Sequence, residues 1–219
     1  MKIEEEIFKK SKPNYDKLIE YGFKKENNKY IYKEKFKDEE FEAIITIDKT
    51  IKGQVIDINT KEEYINIRIE NTGTYTNKIK EEYKKILKKI KENCFESEYF
   101  MSPQANRITK YIIEKYKVEP EFLWKKLDGS AVFRNKKNKK WFGIIMDINK
   151  NKLEKENKII EIINTKINET EKEQLLKNKG IYEAYHMNKK NWITMTLDDT
   201  LKDTTIINQI EKSYNIINK

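Results

Sequence analysis

The chain has 219 residues, room for two domains of about 100 residues each, and is 37% hydrophobic, 38% charged and 11% aromatic, a composition read as folded rather than disordered. No apolar run approaches the roughly 18 residues of a membrane span, the opening Met1-Lys2-Ile3-Glu4-Glu5-Glu6 lacks a signal-peptide core, and Cys94 stands alone, so a cytoplasmic protein without disulfides is expected. The net charge of +9 is uneven: residues 1–100 carry 22 Lys+Arg against 21 Asp+Glu, and residues 101–219 carry 24 against 16.

In chain order, residues 12–21 suit a short helix with Pro13 in its first turn and Gly22 as its stop. Four strands are expected next: one around Tyr30, Tyr32 and Phe36, one over Phe41–Ile47, one marked by Ile56 and Ile58, and one in which Ile65, Ile67 and Ile69 alternate with polar residues. A helix from about Asn77 to Asn93 carries Ile79, Tyr83, Ile86, Leu87 and Ile90 at spacings of three and four, the stripe that an antiparallel sheet with one apolar face requires. The lysines opposite that stripe, Lys84, Lys85, Lys88, Lys89 and Lys91, read as a solvated helix face. This first half, placed at 1–98, reads as an accessory α+β domain.

The boundary falls near residue 100. Tyr99, Phe100 and Met101 are too apolar for a free linker and are expected to dock one domain on the other. Ser102-Pro103 then opens a helix, with Ser as N-cap and Pro in the first helical position, and Ile108, Ile112 and Tyr116 form its stripe. Asp128-Gly129 is a turn, and 131–134 and 140–148 read as a hairpin joined by Asn135-Lys136-Lys137-Asn138-Lys139. Residues 159–167 fit strand or helix by pattern alone. Asn168 and Glu171 look like a capping box for a short helix stopped by Gly180. Trp192–Leu197 is the last strand, Asp198-Asp199 a turn, and Asp203 the cap of a final helix bearing Ile206, Ile210, Tyr214 and Ile217.

Several separated motifs in the second half resemble one family in the family's order: Phe122-Leu123-Trp124-Lys125-Lys126, Ala131-Val132-Phe133-Arg134, Asn138-Lys139-Lys140-Trp141-Phe142, Tyr185-His186-Met187-Asn188-Lys189-Lys190-Asn191-Trp192, and Glu211-Lys212-Ser213-Tyr214. Over roughly residues 102–217 the chain resembles the MmcQ/YjbR family of bacterial proteins. The resemblance implies a compact α+β domain of CyaY-like shape over 99–219, reads residues 159–167 as a strand, and implies DNA binding, the activity usually assigned to the family by fold likeness. The expected fold class is therefore α+β, two small domains, each an antiparallel sheet covered by helices.

Catalytic patterns are missing from the sequence. His186 and Cys94 form no His-x-x-x-His or Cys-x-x-Cys spacing, and there is no nucleophile elbow or phosphate-binding glycine loop. A lone His186 acting as general base is the one enzymatic reading; a non-enzyme without cofactor or metal is expected. Surplus cation in the second half favours a polyanion, and Lys136, Lys137, Lys139 and Lys140 crowd one loop while Lys189 and Lys190 sit in another, with His186 and Asn188 as neutral donors beside them. The plainer reading of the second loop has Tyr185 and Trp192 packing while His186 and Asn188 hydrogen-bond the loop backbone. Trp141 invites base stacking, but as a strand residue it reads first as packing, with Phe142 on the opposite face. Only Arg68, Arg107 and Arg134 are arginines among 46 basic residues, so phosphate contacts are expected over base reading. The alternative partner is an acidic protein, with this module as an adaptor.

Overall fold

In the computed structural model, which describes residues 2–70 and 72–218, the chain forms two compact units, Met1–Glu98 and Tyr99–Lys219. The outermost residues of the expected domains, Met1 and Lys219, lie outside the described residues.

The first unit runs α1 (Ile3–Ile7), β1 (Ser11–Pro13), α2 (Tyr15–Tyr21), β2 (Lys24–Glu26), β3 (Lys29–Phe36), β4 (Phe41–Ile47), β5 (Ile51–Asp57), α3 (Thr74–Cys94) and β6 (Phe95–Ser97). Strands β2-β3-β4-β5 make an antiparallel meander, and β1 pairs with β6. Along β4, Phe41, Ala43, Ile45 and Ile47 are buried and the residues between them are not. Their apolar side meets Leu18 of α2 and Ile79, Tyr83, Ile86, Leu87 and Ile90 of α3, as the helical stripe requires.

Two expectations fail in this unit. Pro13 ends strand β1, and α2 starts only at Tyr15, where the Asn14 side chain accepts from the Lys17 backbone amide. Residues 65–68 are a short 3-10 helix instead of a fourth strand. Of the three alternating isoleucines only Ile67 is buried; Ile65 and Ile69 are exposed. The turn is held by Arg68, which donates to both carboxylate oxygens of buried Glu4 at 2.9 and 2.8 Å and to the Gly53 carbonyl at 2.6 Å. Glu4 also accepts from the Tyr83 hydroxyl. A buried carboxylate this well partnered outweighs the strand propensity of the three isoleucines. At Gly22 the expected stop is present, with φ 114° in the left-handed region.

The second unit runs α4 (Pro103–Tyr116), β7 (Ala131–Arg134), β8 (Trp141–Asn149), β9 (Ile159–Lys166), α5 (Glu169–Leu175), β10 (Ile181–Glu183), β11 (Trp192–Thr196) and α6 (Asp203–Asn218). Its five strands are antiparallel in the order β10-β11-β9-β8-β7. The Ser102 side chain caps α4 by accepting from the Ala105 amide, with Pro103 at the first helical position as expected. Ile108, Ile112, Ile206, Ile210 and Ile217 of α4 and α6 pack on Phe142, Ile145, Ile163, Ile193 and Met195 of one sheet face.

Three local readings are corrected here. Asn168 precedes α5, but its side chain makes no capping bond. Asp203 is the first residue of α6, and its carboxylate accepts from Arg107 and Gln104. Strand β10 was not foreseen: α5 is over before Gly180, whose φ of 87° turns the chain into that strand. The four- and five-stranded sheets are antiparallel and helix-covered, the α+β class that the alternation and helical stripes describe. Among the described residues, no helix is long and apolar enough to cross a membrane.

Candidate nucleic-acid interface

Strand direction decides where the lysine-rich loops lie. Trp141 at the start of β8 is opposite Arg134 at the end of β7, and Trp192 at the start of β11 is opposite Lys166 at the end of β9. Gly143 pairs with Thr165, so these strand ends all lie at one end of the sheet. The loop 135–140 and the loop 184–191 therefore emerge from the same end.

Each loop is braced by asparagine. Buried Asn135 accepts from the Lys137 amide at 2.7 Å and donates to Asn218 Oδ1 at 2.7 Å. Asn138 accepts from the Lys140 amide at 3.0 Å and donates to the Ile217 carbonyl at 2.8 Å. The loop is thus tied to the last turn of α6, and Lys139 takes a left-handed φ of 60°. Lys136, Lys137, Lys139 and Lys140 are all exposed on it.

In the second loop Asn188 Oδ1 accepts from the Lys190 amide at 2.8 Å, the backbone role the plainer reading gives it. The imidazole of His186 does not share that role: among the described residues it makes no hydrogen bond, and it is exposed at φ 56° with its ring set against Tyr185 at 4.1 Å. Tyr185 instead holds the loop through its backbone, its amide donating to Thr194 Oγ1 and its carbonyl accepting from Asn164 Nδ2. Trp192 is buried.

Behind both loops, on the sheet face away from α4 and α6, Val132, Ile144, Ala184 and Trp192 form a second cluster joined by Trp124, Trp141, Met146 and Met187. Trp141 and Phe142 face opposite sides, as expected. Trp141 is half-buried, edge-to-face with Trp124 at 6.2 Å, and the Arg134 guanidinium lies 5.6 Å from its centroid. Its ring therefore acts first as packing. The Lys166 ammonium stands 4.7 Å from the Trp192 centroid. Burial lowers its proton affinity, and nearby Lys140 lowers it further.

The two ends of the sheet differ in how cations are partnered. At the loop end Lys190 meets Glu169 at 3.6 Å and Arg134 meets Glu121 at 3.1 Å. Among the described residues no carboxylate lies within 4.0 Å of the side-chain nitrogens of Lys136, Lys137, Lys139, Lys140, Lys166 or Lys189. At the opposite end two cations have acids around them, while exposed Lys152, Lys155, Lys158 and Lys202 have no carboxylate within 4.0 Å among the described residues. Lys150 meets Glu156 at 2.8 Å, Asp198 at 3.3 Å and Glu154 at 3.8 Å. Arg107 meets Asp199 at 2.5 Å and Asp203 at 2.6 Å.

The structure brings together all eight expected binding residues and their aromatic supports at one end. Sequence reasoning missed Lys166 there. Its signal was a lysine closing a mostly apolar run with one acid, Ile159-Ile160-Glu161-Ile162-Ile163-Asn164-Thr165, at the mouth of the expected strand. Among the described residues no group of three or more His, Cys, Asp or Glu side chains is placed to hold a metal.

A helix-backed antiparallel sheet with lysine-bearing loops at one end defines this second unit as a small α+β domain. The chain belongs to the YjbR family, which it matches over residues 113–216, within that unit. It is 34% identical over 110 residues to the uncharacterized protein YyaQ of Bacillus subtilis, a match covering 50% of this chain and 93% of that one. It is also similar to a protein of Pseudomonas syringae known from a crystal structure, with 36% identity, a TM-score of 0.49, and coverage of 50% of this chain and 95% of that one. A Deinococcus radiodurans protein with a DUF419 domain aligns at 20% identity and a TM-score of 0.40, covering 50% of this chain and 75% of its own.

Proposed function

We propose that the second unit binds nucleic acid through its phosphate backbone, with DNA as the expected partner and little reading of base sequence. One observation carries this reading: two braced loops gather at one sheet end Lys136, Lys137, Lys139, Lys140 and Lys189, beside Lys166, none with a carboxylate within 4.0 Å among the described residues. Like charges gathered without counter-charge work against stability, and a polyanion relieves that repulsion while its counterions are released. Lysine is suited to phosphate as a point charge, and the arginine that best reads guanine edges is scarce here. Asparagine-braced loops hold the cations on a stiff platform, so little ordering is needed on binding.

The test is a titration of the full chain with labelled duplex and single-stranded DNA at several salt concentrations. Binding should weaken linearly on a log–log plot. The Lys139→Gln/Lys140→Gln and Lys189→Gln/Lys190→Gln pairs should each weaken it on unrelated sequences and make the slope shallower by about 1 for each phosphate no longer neutralised. Lys85→Gln/Lys88→Gln, on the exposed side of α3, should change neither. Absence of binding at about 50 mM salt, or equal effects of all three pairs, would overturn the reading. Retention of a stoichiometric acidic protein from nuclease-treated lysate, with no binding to nucleic acid, would replace it by the adaptor role.

A further inference from the structure

We propose that Lys166 is the seat of one discrete phosphate in this interface, set in the cleft between the start of α5 and the end of α6 and flanked by Lys140 and Lys190. The inference rests on the phosphate-binding reading above and names the residue at its centre. The cleft is lined by Lys166, Asn168, Glu169, Thr170, Asn191 and Ile216.

The second unit treats its half-buried lysines unequally. There are three among the described residues: Lys150, Lys166 and Lys172. Lys150 has three carboxylates and Lys172 has Glu183 at 2.8 Å. Lys166 alone has no oxygen acceptor for its ammonium among the described residues, only the Trp192 ring. A partly desolvated ammonium resting on an indole face has exchanged part of its hydration for a weak quadrupole, and none of its three donors meets a protein oxygen among the described residues. Lys140 adds repulsion rather than relief.

The surroundings are built to hold the residue in place. The Lys166 amide donates to Ser213 Oγ at 2.8 Å, and its carbonyl accepts from Gln209 Nε2 at 2.9 Å. Ser213 in turn donates to the Phe142 carbonyl at 2.5 Å, so β8, β9 and α6 are pinned at this point. Asn168 opens onto the cleft without capping α5, leaving its side chain available as a neutral donor. Glu169, the acid of the cleft, is 3.6 Å from Lys190, which offsets it. A phosphodiester entering here would accept from Lys166, drawing its ammonium off the indole.

The experiment uses the full chain labelled with 5-fluorotryptophan and a short oligothymidylate as probe. Trp192 is assigned among the fluorine resonances by Trp192→Phe. Saturation should shift the Trp192 resonance, and Lys166→Gln should weaken binding about tenfold or more, the effect of losing one charge-assisted hydrogen bond, while Lys166→Arg keeps most of it. If the oligonucleotide binds and the loop-lysine pairs weaken it, yet Lys166→Gln binds like the wild type and the Trp192 resonance stays put, this inference fails and the interface stands. If nothing binds, the interface itself fails. Should Lys166→Gln melt below the assay temperature, the fluorine shift in the wild-type chain decides alone.

Discussion

Asn138 donates its side-chain amide to the carbonyl oxygen of Ile217 at 2.8 Å, closing the lysine-bearing hairpin loop onto the last turn of the final helix. With the Asn135–Asn218 contact at 2.7 Å it makes a two-point clamp. Asn135→Ala should remove one point, leave the Lys137 and Asn138 amides without their acceptor, and destabilise the chain by about 1–3 kcal/mol. Urea unfolding measures that loss. DNA affinity should fall modestly with an unchanged salt slope, because the loop loosens but no cation is removed.

Lys150 provides the opposite case. Its side chain is only 12% exposed and holds together Glu156, Asp198 and Glu154. Lys150→Met should destabilise by about 1–3 kcal/mol through the acids left behind. It should leave DNA binding untouched, since this cation lies at the far end of the sheet. A matched pair of melting and binding curves separates the two effects.

Asp203 links stability to pH. The Arg107 guanidinium holds its carboxyl below the usual aspartate value; burial opposes this, and Gln104 assists Arg107. A depressed folded-state pKa gives stability that is complete above the unfolded value, about 3.9, and is lost as pH falls through the lower folded value. Both side chains are partly exposed, so the contribution is at most about 1 kcal/mol. Asp203→Asn should lower stability at neutral pH and flatten its decline below about pH 4, as read from urea midpoints across that range.

Gly53 tests the first unit. A Cβ at this position would fall 2.7 Å from Glu4 Oε1 and closer still to the Tyr83 hydroxyl. Gly53→Ala should therefore break the Glu4–Arg68–Tyr83 network and leave a buried carboxylate short of donors, costing about 3 kcal/mol or more. Differential scanning calorimetry checks it. Glu4→Gln, which keeps the shape while removing the charge, should cost less than the glycine change.

Legibility in the sequence followed the physics of periodicity. The β4 alternation and the α3 stripe were readable because a single buried face forces every second or every third and fourth residue to be apolar. Ser102-Pro103 was readable because cap and ring chemistry are local. Residues 65–69 misled because they alternate while their conformation is set by a glutamate more than sixty positions away. Asn168 and Asp203 carry the right side chains for caps; nothing local shows that one makes no such bond and that the other turns to a distant arginine.

The candidate interface divides in the same way. The loop lysines stood out as a local crowd, and Trp141 and Trp192 as aromatic anchors. Their arrival at one sheet end depends on the pairings of β7 with β8 and of β9 with β11, which no short window contains. Lys166 stayed hidden for a further reason: its exceptional character is partial burial without an acid in three dimensions, and adjacent residues do not reveal that.

The gathering of loop lysines at one sheet end also has a kinetic meaning. A body whose surplus charge is gathered on one side experiences a torque near a charged filament and is rotated before it touches. Added electrolyte blunts that guidance at long range, so dilution of encounters, more than hastened departure, should account for lost affinity in brine.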